Sequence, residues 1–286
     1  MHQRPSLVQI RHQRDSFARR FAEHAVLQTE VAQRLLERLD YMRLNPSVIL
    51  DLSAPTPGSL EQLLQRYPDA EVMVSDFCWD LLAQQRASSL AQKHLVCAGL
   101  EQIPLVTESV DLIISNLSLA WLADPQFCFS DLLRALKPGG LFLFTSLGPD
   151  TLQELRYAFS EQDQYAHVYD FIDMHHLGDA LLSSGWQDPV MDMEVLTMAY
   201  DHLTDLFTDL RVAGAKNLLA NRYPNLMSRE RWNKMQARYK DLQLENQQLP
   251  ASFEIIYGHA WKSSKAQQST RSEIVIQADS IKIKGE

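Results

Sequence analysis

Two aspartates, Asp51 and Asp76, stand 25 positions apart, each closing a short apolar run, VILD and EVMVSD. A carboxylate at the end of a second strand can accept two hydrogen bonds from a ribose diol, as dinucleotide folds use it. The competing role for Asp76 is to cap the helix that begins near Trp79. In open α/β sheets, ligands bind beyond the carboxyl ends of the strands. That rule selects four places: Asp51 to Gly58, Asp76 to Phe77, Ala98 to Leu100, and Asn116 to Trp121. The histidines offer less. His175 and His176 are adjacent, so on a helix they point about 100° apart and cannot share a metal. His259, beside Trp261, reads as a packing residue. No Gly-x-Ser-x-Gly, phosphate-loop or HExxH pattern occurs, so hydrolase and nucleotide-phosphate chemistry lack a motif. Three cysteines without a CxxC pair argue against a disulfide framework and a zinc site, and no metal is expected.

The elements that must position these residues alternate in period. VILD is strand-like, SLEQLLQRYP (59–68) helical, AEVMVSDF (70–77) a strand and residues 79–93 a helix. HLVCAG and SVDLIISNLSLAWL give two further strands, PQFCFSDLLRALKPGG a helix closed by Pro-Gly-Gly, and LFLFTSLG a fifth strand. Strands alternating with helices mean βαβ units and a parallel sheet covered on both faces. Upstream, residues 14–39 read as one amphipathic helix. Downstream come helices in TLQELRYAFSEQ and HHLGDALLSSGW, then an alternating strand over 188–200. A polar helical stretch over 201–245 follows, and SFEIIYGHAW is a last strand. The resulting division is an N-terminal helical segment (1–45), an α/β domain (46–200 and 250–262), a helical insertion (201–249) and a tail (263–286).

Composition narrows the function classes. Of 286 residues, 45% are hydrophobic and 22% charged, which fits a globular chain. A net charge of −9 disfavours a dedicated nucleic-acid binder, because phosphate neutralisation needs a basic surface. The opening MHQRPSLVQI carries no apolar h-region, and no run approaches the ~20 residues of a membrane span. A cytoplasmic location is the expectation.

VILDLSAPTPGSLEQLL, VMVSDFCWDLLAQQR, GLEQIPLVTESVDLIISNLSLAWL and LLRALKPGGLFLFTSLGPDTLQELR follow, in order, the signposts of a known family. They resemble those of class I S-adenosylmethionine-dependent methyltransferases, and more narrowly the malonyl-acyl-carrier-protein O-methyltransferases of biotin synthesis. SNLSLAW, GPDTLQELR, LRVAGAKN and YGHAW carry the narrower likeness, which spans about residues 14–261. The resemblance implies a Rossmann-like, doubly wound, seven-stranded sheet with one antiparallel edge strand and a helical cap in the insertion. It implies S-adenosylmethionine as cofactor, with Asp51, Ser53, Gly58, Asp76, Phe77, Gly99, Leu100 and Asn116 lining its site. The nucleophile would be a free carboxylate, already ionised at pH 7, and a cation must hold it. Arg156 and Arg211 are the candidates, and Trp121 and Tyr200 could wall the pocket.

The departures bear on affinity. The family's first loop is glycine-rich, whereas here it reads Asp51-Leu52-Ser53-Ala54-Pro55-Thr56-Pro57 before Gly58. Proline has no N–H and a fixed φ, so it cannot present bare backbone to a cofactor. Gly99 stands where an adenine-binding acid is common, and Phe21 where an aromatic hydroxyl is expected. An alternative therefore stays open: a degenerate methyltransferase-fold protein, acting in assembly or regulation with weak or no cofactor binding. Residues 211–240 carry Arg211, Lys216, Arg222, Arg229, Arg231, Lys234, Arg238 and Lys240 against the single acid Glu230. Such a patch would steer an acidic acyl-carrier protein; the plain alternative is a solvated helical face.

Overall fold

The computed structural model of the chain describes residues 6–52, 56–85, 93–100, 102–122 and 124–264. Seven strands form one sheet: β1 (Val48–Asp51), β2 (Glu71–Asp76), β3 (Lys93–Cys97), β4 (Val110–Ser115), β5 (Leu136–Leu147), β6 (Gln187–Tyr200) and β7 (Leu249–Trp261). Their order is β3-β2-β1-β4-β5-β7-β6. Strands β1 to β5 pair in parallel, and β7 lies antiparallel between β5 and β6. The reversed strand is thus one place in from the edge, which β6 holds. This correction has a visible cause: β6 alternates between half-buried and exposed residues, while β7 is buried along nearly its whole length. Strand β1 pairs with both β2 and β4, so the winding reverses beyond Asp51 and opens a crevice there.

The early helices differ from the single one expected over 14–39. Helix α1 (Leu7–His24) starts at a capping box in which Ser6 and Gln9 satisfy each other's end groups, and it breaks at Ala25. Helix α2 (Val26–Glu37) then turns Val31, Leu35 and Leu36 into the core, whereas α1 buries Ile10, Arg14, Ala18 and Phe21 elsewhere. Two different buried faces require two helices. After them come α3 (Ser59–Arg66), α4 (Trp79–Gln85), α5 (Pro125–Ala135), α6 (Gln153–Phe159) and α7 (Met174–Ser183). The insertion between β6 and β7 carries α8 (Leu203–Val212) and α9 (Arg229–Lys240), with no helix over 213–228, where Gly214 and Pro224 interrupt the pattern.

Lys137-Pro138-Gly139-Gly140 does not close α5 as a turn. It opens β5 as an irregular strand, where pairing slips between Val110 and Leu112 and Gly139 takes φ +78°. A side chain at Gly140 would place its Cβ 2.9 Å from the Lys137 carbonyl and 3.0 Å from that of Asp111, so only glycine fits. On one face of the sheet, Phe129, Phe142, Phe144 and Trp186 stack within ring distances of 4.9–6.0 Å. Each such ring stabilises by about 1.5–3 kcal/mol when buried. This packing anchors β5, whose carboxyl end borders the site. No helix among the described residues is long and apolar enough to cross a membrane.

Candidate active site

The segment after β4 is the site's hub. Leu117 takes a left-handed conformation (φ +56°), unusual for a branched side chain, and starts a short 3-10 turn over Ser118–Trp121. Hydrogen bonds fix it from three sides. The Thr145 hydroxyl accepts from the Leu117 amide (2.8 Å) and donates to Asn116 Oδ1 (2.8 Å); Asn116 Nδ2 donates to the Gln28 carbonyl (2.9 Å). Ser118 donates to the Leu52 carbonyl at 2.6 Å. The SNLS motif therefore ties β1, β4, β5 and α2 together at their ligand-facing ends.

Above this hub lies a mostly apolar pocket roofed by α1, α2 and α8. Its walls include Phe21, Leu117, Trp121, Tyr169, Phe171, Met198, Tyr200 and Phe253, and its polar groups include Arg14, His24, Gln28, Asn116 and Asp209. A polar triad closes one side. Asp209 accepts from the Tyr200 hydroxyl at 3.0 Å and from His24 Nδ1 at 2.6 Å. Arg20 faces the other ring nitrogen of His24 at 3.1 Å, so Nε2 accepts and Nδ1 carries the proton. Burial and the neighbouring Asp209 push the Tyr200 hydroxyl's pKa up, keeping it a donor. The triad joins α1, β6 and α8 across the pocket.

Asp76 performs the cap and something more. Its Oδ1 accepts the Cys78 amide at 2.6 Å, the local turn expected before α4. Arg14 Nη1 reaches the same carboxylate, at 3.2 Å from Oδ2 and 3.4 Å from Oδ1. Both side chains are buried, 7% and 3% exposed. The guanidinium also lies 5.0 Å above the centre of the Phe77 ring. Arg14 thus links the pocket wall to Asp76.

The remaining sequence candidates fall as follows. Asp51 is buried at the end of β1. Ser53 lies outside the described residues. Gly58 takes φ +80° as the residue preceding α3, a turn requirement. Gly99 is roofed by α1, since a Cβ there would meet Leu7 at 3.7 Å; Leu100 and Phe77 are buried nearby. Arg156 is held by backbone. It donates to the carbonyls of Pro149 (2.7 Å), Thr151 (2.6 Å) and Tyr169 (2.6 Å), the last a residue of the pocket wall. It lines a separate hollow, and burial lowers its pKa. Arg211 is exposed on a cleft that adjoins the pocket and shares Tyr169, Phe171 and Leu210 with it. His259 is half-buried in β7, with its pKa lowered by burial and Arg38, as a packing residue would be. Arg14, Gln28, His24 and Asp209 were not singled out from sequence. Arg14 alone left a signal: it occupies the apolar stripe Ile10–Arg14–Ala18–Phe21 of α1, where a charge needs a buried partner.

The basic segment is partly neutralised. Arg231 pairs with Asp163, Arg238 with Glu161, and Lys234 with Glu230 at 2.8 Å. Arg211, Lys216, Arg222, Arg229 and Lys240 are exposed and form no ion pair among the described residues. Between Arg222 and Arg229, Leu226 is 93% exposed and Met227 40%.

A seven-stranded sheet of this order with a pocket beyond β4 defines a class I methyltransferase fold. Residues 50–144 match a family profile described as a methyltransferase domain. The YcgJ protein from Bacillus subtilis superposes with a TM-score of 0.56 at 12% identity, covering 82% of this chain and 99% of that one. The [4+2]-cyclase SpnF superposes with a TM-score of 0.50 at 15% identity over 83% and 82% of the chains, so fold alone does not decide chemistry. Sequence goes further. The malonyl-[acyl-carrier protein] O-methyltransferase of Gallionella capsiferriformans is 40% identical over 268 residues, 91% of each chain. That of Nitrosospira multiformis is 40% identical over 260 residues, 85% of this chain and 84% of its own. The chain belongs to the malonyl-[acyl-carrier protein] O-methyltransferase family.

Proposed function

We propose that the chain transfers a methyl group from S-adenosylmethionine to the free carboxylate of a malonyl thioester carried on an acyl-carrier protein. The carrying observation is the apolar pocket over the SNLS hub, with Asp76 one side chain away from its wall. The residues fit the cofactor. Gln28 Oε1 is a buried acceptor in that pocket with no donor among the described residues, suited to an α-ammonium group. Asp76 suits the ribose diol, Asp51 and Asn116 the crevice between them, and Phe77 and Leu100 an apolar flank for the base. When bound, the cofactor supplies an electrophilic methyl on a sulfonium.

The chain's own residues then have a limited task. A carboxylate is ionised at pH 7 and needs no general base. Alignment and exclusion of water do most of the work. Trp121, Tyr169, Phe171 and Phe253 keep the pocket dry, and Arg211 on the adjoining cleft can meet the carrier's arm. The exposed Arg222, Arg229 and Lys240, with the exposed Leu226 and Met227 between the first two in sequence, suit an acidic carrier that also makes an apolar contact. The cytoplasm, where biotin precursors on carriers would be met, is the compartment this reading takes.

The enzymatic relatives support this reading over a degenerate assembly factor. The experiment is a thermal shift with S-adenosylhomocysteine. A ligand at 100 times its dissociation constant stabilises the fold by about 2.7 kcal/mol. We expect a clear upward shift, reached at higher ligand concentration than a glycine-rich loop would need. No shift at millimolar ligand would return the chain to the non-catalytic alternative.

A further inference from the structure

We propose that Arg14 is the pocket's carboxylate receptor, exchanged from Asp76 to a ligand carboxylate when a ribose takes that acid. The inference rests on the functional reading above and names the residue that couples its two halves. Asp76 has two oxygens, one already engaged by the Cys78 amide at 2.6 Å, and Arg14 straddles both. A ribose diol hydrogen-bonding the same carboxylate competes with the guanidinium for its lone pairs. A guanidinium so displaced, buried and without an anion, is costly unless another anion receives it. The pocket it already lines is where a ligand carboxylate would stand, and among the described residues Arg14 is the one arginine or lysine on that wall.

The surroundings are shaped to let Arg14 reach both sides. Gly214, at the end of the cap helix, passes so close that a Cβ there would lie 2.3 Å from Arg14 Cγ. The backbone is bare where the arginine stem runs, and φ +82° at Gly214 bends the chain around it. Phe77 supports the planar guanidinium from the other side at 5.0 Å, so it slides rather than swings. Two carboxylates meet this description: that of the cofactor's methionine portion and that of the malonyl group. Both present the same planar, bidentate acceptor to an arginine.

The coupling predicts that ligands with and without the recognised carboxylate respond differently, which a packing role cannot produce. Binding to Arg14→Gln is measured by calorimetry with 5′-methylthioadenosine, which has the ribose but no carboxylate, and with S-adenosylhomocysteine, which has both. We expect methylthioadenosine to bind as well as or better than to the natural chain, because its competitor for Asp76 is gone. If the receptor serves the cofactor, S-adenosylhomocysteine weakens about 10- to 100-fold, the worth of a charge-assisted hydrogen bond. If it serves the substrate, both nucleosides behave like methylthioadenosine and KM for malonyl-pantetheine rises by a similar factor. Arg14→Lys, which keeps the charge but not the fork, should fall between. In the natural chain, decarboxylated S-adenosylhomocysteine and acetyl-pantetheine against their carboxylated parents give the same comparison without a variant. Parallel weakening of both nucleosides, or indifference of every carboxylated ligand, overturns the proposal while leaving the function standing. Failure of the natural chain to bind either nucleoside overturns the function itself.

Discussion

Asp76→Ala lowers affinity for S-adenosylhomocysteine by at least about 100-fold. Two hydrogen bonds from a ribose to a carboxylate are worth about 1.5–3 kcal/mol each, and the alanine removes both. The same change orphans Arg14, whose guanidinium is buried against that carboxylate. Breaking one side of a buried pair costs about 3–5 kcal/mol of stability, so the variant must be compared at a temperature where it is folded. Asp76→Asn separates the effects. It keeps an acceptor for the Cys78 amide and restores much of the stability, yet it can satisfy only part of a diol and of Arg14. Calorimetry on both variants, with unfolding followed in urea, checks the result. Affinity unchanged in a folded Asp76→Asn chain would reduce Asp76 to a helix cap.

Reversing Arg222, Arg229 and Lys240 to glutamate should cut kcat/KM for the carrier-bound substrate by about 100-fold, within the range of electrostatic steering. Kinetics with malonyl-pantetheine should stay as they are, since the small thioester needs no docking surface. The melting temperature should barely move, because these side chains are exposed and unpaired with acids among the described residues. The choice of residues matters. Arg231 is held by Asp163 and Arg238 by Glu161, so reversing either would break an ion pair and confuse steering with stability. The natural chain should lose carrier affinity steeply with added salt, since exposed charges are screened within about 8 Å at physiological ionic strength. Equal kinetics on both substrates after reversal would place the carrier elsewhere.

The alternation of β1 through β5 with their helices was legible because the parallel strands are short apolar runs and the helices repeat at 3.6 residues. The positions of Asp76 and Asn116 at the carboxyl ends of β2 and β4 were legible because short apolar runs stop at them. The partners of Arg156 were not legible, since they are three backbone carbonyls, one of them 13 residues away at Tyr169, and no periodicity encodes that meeting. The Pro-Gly-Gly run misled for the opposite reason. Its residue types signal a turn, yet Gly140 is there because two backbone carbonyls crowd it inside the sheet. His24 and Asp209 are 185 positions apart and meet only through the cap, so their pairing lies beyond local reasoning. Arg14 was within reach, as a lone cation on an otherwise apolar stripe.

Mass spectrometry of the carrier shows whether the chain transfers a methyl group to a carboxylate. Malonyl-, succinyl- and acetyl-carrier protein would each be incubated with S-adenosylmethionine and the enzyme. The expected result is a gain of one methylene unit on the malonyl carrier, removed by mild ester hydrolysis, with none on the acetyl carrier. A malonyl carrier left unchanged at saturating cofactor, by a chain that binds S-adenosylhomocysteine, would rule out methyl transfer to the malonyl carboxylate.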